Sequence, residues 1–388
     1  MPPKAKYDYI VAGGGCAGLS LIMHILSAPS LKNRSILLIE KDSKQNNDRT
    51  WCYWEKGPGF FDAIVHANWK KAWFHSTDYS SLKTLDPYRY KMIRGLDFYR
   101  YCHEQISAAS NVTVLRDAVV DMGQTSEGAF VQTTSDCFEA TYVFNSVQLQ
   151  PPVLSGEQYM LLQHFKGWFI ETATPAFKVD QPVLMDFRVN QHYGTTFVYV
   201  MPLSERRALV EYTLFTKSLL QDHEYEEGLK QYVSEQLKLS DYTVAEREFG
   251  IIPMTNYRFS LGEGNIIQIG TMGGQTKPSS GYTFRFIQKH STAIVQALKD
   301  NQHPRVKRSK MDRRFFWYDS VLLHMLYKEK MAGSRIFSLL FKRNPIDRLF
   351  GFLDNESSLL QEAILLNTLP QWPFMKAGWE ELMKPDQD

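Results

Sequence analysis

Hydrophobic and polar positions follow one rhythm in the first 150 residues of this chain and another beyond them. Tyr9–Val11 is a short apolar run, followed at once by Gly13, Gly15 and Gly18 in GxGxxG spacing and by the apolar helical stretch LSLIMHIL. A second apolar run, SILLIE, ends at Glu40. Helical spacing returns in LDFYRYCHEQISA from Leu96 to Ala108, with Asp97 near its start. VTVLRDAVVDM then alternates, and TYVFNSV reads as a strand ending in a polar turn. Together these elements predict a Rossmann-like nucleotide-binding domain over residues 1–150.

Pro151 and Pro152 mark a boundary. Past them the period becomes two: HFKGWFIET, PVLMDFRV, TTFVYVMPL and RALVEYTLF predict an antiparallel sheet over residues 151–250. Thr195–Phe215 reads as a hairpin closed around Ser204–Arg207. A helix follows in DHEYEEGLKQYVSEQLKL, acidic at its start as the helix dipole favours. EREFGIIPM returns the chain toward the first domain, which resumes over residues 251–300: the strand NIIQIG, a glycine-rich loop from Gly270 to Gly281, and a helix from near Tyr282. Residues 301–388 are helical in pattern. The expected class is α/β, a Rossmann-like FAD/NAD(P)-binding domain with an antiparallel substrate sheet and a helical C-terminal region.

Composition changes this picture little. A hydrophobic fraction of 44% with 22% charged residues is that of a globular chain with a large core. The net charge of +2 gives no sign of a nucleic-acid partner. Cys16, Cys52, Cys102 and Cys137 show no metal-ligand spacing and fit a reduced, cytoplasmic protein; no metal is expected. The N-terminus has no apolar signal core, and no run of about twenty apolar residues is present to span a membrane.

Charge matters locally. From Arg305 to Arg343 there are eleven Lys and Arg against three Asp and Glu, an excess of 11 − 3 = +8, with phenylalanine and leucine interleaved. Such a segment suits either an interfacial helix on an anionic membrane or an amphipathic helix packed on the core.

The glycine turn carries the first candidate chemistry. Gly13 permits a tight turn, Gly15 lets the backbone approach a pyrophosphate, and Gly18 lets the helix pack closely on its strand. Glu40 stands about twenty residues on, where an acidic group meets a ribose hydroxyl, and it favours FAD or NAD over NADP. Arg49 closely follows that strand end and is a candidate cofactor contact. The late strand–glycine–helix unit, with Gly270, Thr271, Met272, Gly273 and Gly281, offers a second helix N-terminus to an anionic or polar ligand.

These motifs add up to a resemblance over nearly the whole length. VAGGGCAGLSL, DRTWCYW, MDFRV, VEYTLF, FGIIPM, GTMGGQTKPSSGYTF, IFSLLFKRNPIDRLFGFLD and LPQWPF resemble the flavoprotein-type bacterial lycopene cyclases, in particular the lycopene β-cyclases. DRTWCYW and TKPSSGYTF are the specific parts. The resemblance implies bound FAD, NAD(P)H as reductant without net redox change, and a linear C40 carotene, lycopene, whose ends are closed into β-rings to give γ- and β-carotene. It departs in two places: Thr271 stands where related flavoproteins usually carry an Asp, and Tyr212 stands where family members often carry a second acidic residue.

Closing a polyene end requires a proton donor that stays protonated near neutral pH, a shielded cation path and a final base. Burial disfavours the charged form of a carboxyl, so an acid on an apolar strand meets the first demand. Glu211 is the candidate, sharing its face with Leu209, Thr213 and Phe215. Asp186, expected in the same sheet, is the second carboxylate, either final base or fold support. A reduced, anionic flavin is expected to stabilise the cation. Trp51, Tyr53, Trp54, Trp168, Phe169, Phe197 and Tyr199 are the aromatics from which a cavity lining can be drawn. A lipophilic substrate favours peripheral membrane association. Two other classes fit parts of the pattern: an FAD-dependent monooxygenase or isoprenoid reductase, and a carotenoid-binding protein without activity.

Overall fold

A computed structural model describes residues 5–154 and 156–384. The parallel core of the first sheet runs in the order Ile266–Gln268, Cys137–Asn145, Lys6–Ala12, Ile36–Ile39, Val112–Leu115. Antiparallel pieces complete it: Gly262–Glu263 beyond one edge, and the hairpin Val119–Gln124 and Ala129–Thr133 beside Cys137–Asn145. Ile36–Ile39 is buried at every position, which is why it reads as an unbroken apolar run. Helices Cys16–Leu26 and Phe284–Lys299 pack on this sheet and on each other through Leu19, Ile22, Ile287 and Ile294.

The second sheet has seven strands in the order Thr243–Thr255, Met160–Glu171, Arg207–Thr216, Thr195–Ser204, Val183–Asp186, Lys71–His75, Ser80–Thr84. Its pairings are antiparallel except that between Val183–Asp186 and Lys71–His75. Strand alternation gives it two apolar faces. Phe169, Phe197, Tyr199, Leu209 and Phe215 face the C-terminal helices Lys310–Tyr327, Gly333–Arg343 and Ile346–Leu353. Trp168, Val198, Val210, Tyr212 and Leu214 face helix Asp222–Glu235. The hairpin turn lies where the alternation places it, between Ser204 and Arg207.

Two boundaries differ from the sequence expectation. Residues 71–84, expected in the nucleotide-binding part, cross to the second sheet, where Phe74 stacks on Phe341 at 4.2 Å between ring centroids. The strand carrying EREFGIIPM stays in the second sheet to Thr255, so the return to the first sheet begins at Gly262.

The basic C-terminal stretch also resolves toward packing. Leu323, Ile336, Phe337, Leu340 and Phe341 are buried against the sheet, Phe315 is buried beside Tyr318 and Phe352, and several of its cations are tied to the fold. Arg314 is bidentate to Glu362, Arg343 donates to the Thr368 carbonyl, and Lys342 pairs with Asp78. The apolar stripe of residues 305–343 therefore takes the second of the two roles its pattern allows, packing on the core. Exposed apolar side chains lie further on: Leu359 and Leu360 of helix Leu359–Leu366, and Trp372, Met375, Trp379 and Leu382 of helix Gln371–Leu382. No helix among the described residues is long and apolar enough to cross a membrane.

A third sheet, Thr50–Lys56, Tyr88–Arg94 and Ala67–Trp69, stands at the seam between the two larger ones. Alternation along Thr50–Lys56 sends Tyr53 into the core of the first sheet and Trp54 into that of the second. This places the DRTWCYW segment where both halves meet.

Candidate active site

A cavity of about 380 Å³ opens at that seam. It runs from Gly15, Cys16 and Ala17 past Arg49 and Trp51–Trp54 to Tyr199, Met201 and Glu211, with Gly270, Thr271 and Gly281–Arg285 along another wall. One continuous space thus joins the dinucleotide turn to the glutamate strand.

At the nucleotide end the backbone explains the glycines. Gly13 has φ of +101°, and a Cβ there would meet Ser146 Oγ at 2.3 Å. At Gly18 it would lie 2.0 Å from the Gly13 carbonyl oxygen, so any side chain would push the helix off its strand. At Gly15 it would meet nothing within 4 Å, because the backbone faces the cavity. Helix Cys16–Leu26 begins there with no side-chain cap and no acidic residue in its first turn, leaving its N–H groups and positive dipole end for an anion. Glu40 ends its strand beside this turn, accepting from the Gly14 amide at 2.6 Å and the Asp42 amide at 2.8 Å. Arg49 pairs with Asp48 at 2.8 Å and lines the cavity near the same helix start.

The late glycine loop closes on this end. Gly270, at φ of +65°, would place a Cβ 2.8 Å from Ala17 Cβ. Thr271 and Gly281 line the cavity, whereas Met272 and Gly273 do not reach its wall. Behind the loop, Lys277 is buried and bonded to Asp319 at 3.0 Å and Asn355 at 2.7 Å, and Ser279 donates to Asp319 at 2.5 Å. The TKPSS segment is therefore a clamp between the glycine loop and helix Lys310–Tyr327. An open backbone at Gly15, an uncapped helix start, a cation at Arg49 and a carboxylate at Glu40 fit the phosphates and ribose of a dinucleotide such as FAD.

At the other end Glu211 projects into the cavity from strand Arg207–Thr216, on the face of Leu209 and Phe215. It is partly open to the cavity and enclosed by protein elsewhere, with Cys52, Tyr90, Tyr199 and Tyr282 around it. Burial holds its carboxyl well above the usual range, and the neighbouring Glu248 carboxyl pushes it further up. Thr213 Oγ1 donates to Glu211 Oε1 at 3.0 Å, opposing part of that shift.

Sequence reasoning missed Glu248. It lies on Thr243–Thr255, two strands from Glu211, is 5% exposed, and accepts from Thr50 Oγ1 at 2.8 Å. The available signals were the Glu246/Glu248 alternation in EREFGIIPM and a glycine, Gly167, inside the aromatic strand HFKGWFIE. The second carboxylate, absent at Tyr212, thus comes from another strand; Tyr212 itself points to the opposite face of the sheet.

Asp186 is in the same sheet, as expected, but not in this cavity. Fully buried, it accepts from Arg188 at 2.6 Å and from Tyr232 at 2.9 Å, on the side covered by helix Asp222–Glu235. Burial raises its carboxyl, but the Arg188 bonds outweigh that and hold it below the ordinary value. A carboxylate so occupied, on the far face, is fold support, which corrects its candidacy as final base. Of the candidate aromatics, Trp51, Tyr53, Trp54 and Tyr199 line the cavity, Phe169 and Phe197 are core, and Trp168 lies on the far face.

Comparison with known proteins agrees with this layout. Residues 8–378 match the lycopene cyclase protein family. The chain is 25% identical over 319 residues to a chloroplastic neoxanthin synthase of Solanum tuberosum, covering 76% of this chain and 61% of that protein. It is 25% identical over 234 residues to a lycopene beta-cyclase of Paracoccus sp. (strain N81106 / MBIC 01143), covering 55% and 57%. The chain thus spans about three fifths of the length of these curated relatives. Among solved structures, a flavoprotein/dehydrogenase from Cytophaga hutchinsonii superposes with a TM-score of 0.62 at 11% identity, covering 97% of this chain and 99% of that one, which shows the fold.

Proposed function

Starting from a chain that belongs to the lycopene cyclase family, we propose that it closes the ends of linear lycopene into β-rings, giving γ- and β-carotene. The observation that carries this is a carboxyl with a raised proton affinity, Glu211, in the same cavity as a dinucleotide-binding turn. In this reading Glu211 gives its proton to the terminal double bond of the carotene. The next double bond attacks the resulting cation, forming the ring-closing carbon–carbon bond. Loss of a ring proton to the Glu211 carboxylate restores the acid and the new double bond. Substrate and product are isomers, and no electrons are gained or lost. The enclosed wall of Trp51, Tyr53, Trp54 and Tyr199 excludes water and offers ring faces to the cation.

FAD is the cofactor we assign to the nucleotide end, held by Gly13–Gly18, Glu40, Arg49 and the Gly270–Thr271 turn. When bound in reduced form, with NAD(P)H as reductant, it supplies negative charge that favours a cation in a water-poor cleft.

We further assign peripheral membrane contact at the cytoplasmic surface to helices Leu359–Leu366 and Gln371–Leu382. Trp372, Met375, Trp379 and Leu382 recur at helical spacing and are 62–76% exposed, an indole-rich face of the kind that enters a lipid interface. The substrate dissolves in lipid, so an interfacial face gives it a route to the enzyme.

The test is expression of the full chain in a lycopene-accumulating bacterium, with chromatography of the pigments. Cyclic carotenes, lost on Glu211→Gln, are expected. Unchanged lycopene beside a folded, FAD-loaded protein would contradict the reading, and substrate-coupled oxygen consumption would favour a monooxygenase.

A further inference from the structure

Glu211 and Glu248 sit on strands that do not touch, with Met160–Glu171 between them. Gly167 on that middle strand is in register with Glu211 on one side and with Glu248 on the other. Residues directly opposite across neighbouring strands point to the same face. Strands two apart are separated by roughly 9–10 Å, a span two glutamates leaning inward can bridge only if no side chain stands between them. Gly167 leaves that gap: a Cβ there would lie 2.8 Å from Glu248 Cγ, 3.2 Å from Glu248 Oε1 and 2.9 Å from Leu209 Cδ1.

Glu248 is held for this arrangement. Its Oε2 takes the Thr50 hydroxyl, fixing the carboxyl, while its buried Oε1 has no well-formed hydrogen bond. A buried acceptor is costly to leave unpaired, and an acid proton is the partner that satisfies it. Among the described residues neither carboxyl has a salt bridge, since the nearby Arg94 and Arg207 are both bonded to Glu246. Two carboxylates this close, with no cation bonded to either, cannot both be charged at low cost.

We propose that Glu248 is a positioning residue for Glu211, the two carboxyls sharing one proton across the gap at Gly167. The inference rests on the reading of Glu211 as the acid. Each carboxyl takes one hydroxyl, Thr50 on Glu248 and Thr213 on Glu211, but only Glu248 also feels the Arg94 charge, so the proton resides on Glu211, where the cavity can receive it. Once that proton is given to the carotene, two adjacent carboxylates remain. Their repulsion makes Glu211 a strong acceptor for the ring proton that must leave, so the pair serves both ends of the reaction with the proton count unchanged. The other groups facing the pair are Cys52, Tyr90, Tyr199 and Tyr282 around Glu211, and Thr50, Arg94 and Glu246 on the Glu248 side. Burial pushes the proton affinities of Cys52, Tyr90, Tyr199 and Tyr282 upward, so these groups stay neutral through the range in which the pair titrates.

The test uses the full-length, FAD-loaded protein and the Glu248→Gln variant, which keeps shape and loses charge. Glu211 should then release its proton at lower pH, moving the alkaline limb of the rate profile down by roughly 1–3 pH units, the size of shift a single charge produces on a neighbouring carboxyl. Infrared difference spectra read the same event without turnover: the protonated-carboxyl band assigned by its loss in Glu211→Gln should shift its midpoint in Glu248→Gln. An unmoved midpoint overturns the proposal, whether or not the variant turns over. Full activity of Glu211→Gln would instead defeat the underlying assignment of the acid, so the two failures are distinguishable.

Discussion

Replacing Gly167 with alanine perturbs the pair while both acids stay in place in the sequence. The added Cβ would lie 2.8 Å from Glu248 Cγ and 2.9 Å from Leu209 Cδ1, closer than packed carbon atoms approach, so one of the two must move. Both neighbours are on strands paired directly to Met160–Glu171, which leaves the backbone little room to yield. Overpacking of this kind costs about 1–3 kcal/mol. For a chain of this size that corresponds to roughly 2–8 °C in melting temperature. Forcing the carboxyls apart also weakens their repulsion, and each pH unit lost by Glu211 is worth about 1.4 kcal/mol of proton affinity. Thermal denaturation and the pH–rate profile of the FAD-loaded variant therefore give two independent readouts. The structure predicts a lower melting temperature together with an alkaline limb displaced toward acid. A lower melting temperature with an unmoved limb would show that the glycine only makes room for packing, and it would refute the link to catalysis.

Four further outcomes follow from the same structure. Glu40→Ala removes a carboxylate held by two backbone amides, and the loss of a charged hydrogen-bond acceptor for the ribose, about 1.5–3 kcal/mol, should weaken FAD retention on the order of tenfold or more, read by flavin fluorescence in the filtrate. Exchanging Trp372 and Trp379 together for serine removes two exposed indoles, each worth on the order of 1–2 kcal/mol in an apolar interface, so co-sedimentation with vesicles should fall more than tenfold, whereas charge reversal at Lys342 and Arg343 should have the smaller effect; unchanged sedimentation of the tryptophan variant would remove the membrane assignment. Lys277→Met strands Asp319 without its cation in a buried site and should destabilise the fold by about 3–5 kcal/mol in a denaturant titration. His164, buried between the Thr216 and Tyr225 hydroxyls, has its proton affinity lowered by burial to about 4. Its neutral form is the folded one, so its contribution is intact above its unfolded value of about 6.5 and is lost as pH falls toward 4, by at most about 3 kcal/mol; replacement of His164 by asparagine should flatten that acid limb of the stability curve.

The parts of the molecule legible in the sequence were those in which cause and effect lie close together along the chain. Gly13, Gly18 and Glu40 are fixed by one strand–turn–helix–strand unit, so spacing alone located them. The Thr195–Phe215 hairpin followed from alternation and a polar turn. What was hidden is set by pairing between distant strands. Lys71–His75 is too short and mixed to announce that it pairs with Val183–Asp186, more than a hundred residues away. Glu248 meets Glu211 only because Gly167, remote from both in sequence, takes the place between them. Asp186 shares the sheet with Glu211 but lies on its other face, a distinction that register decides and composition does not. The basic C-terminal stretch carries an amphipathic pattern that packing and membrane binding both produce. Its partner, the apolar face of the second sheet, became visible only with the fold.

The central claim is that Glu211 starts an isomerisation by giving up a proton. Turnover of lycopene by the FAD-loaded protein in deuterated buffer, followed by mass spectrometry of the carotenes, tests it most directly. The expected result is a cyclic product in which one deuterium replaces one hydrogen for every ring closed, the total of hydrogen and deuterium staying that of lycopene, and no such product from Glu211→Gln. Ring formation without deuterium, a product with hydrogens added or removed, or the same labelled product from Glu211→Gln would contradict it.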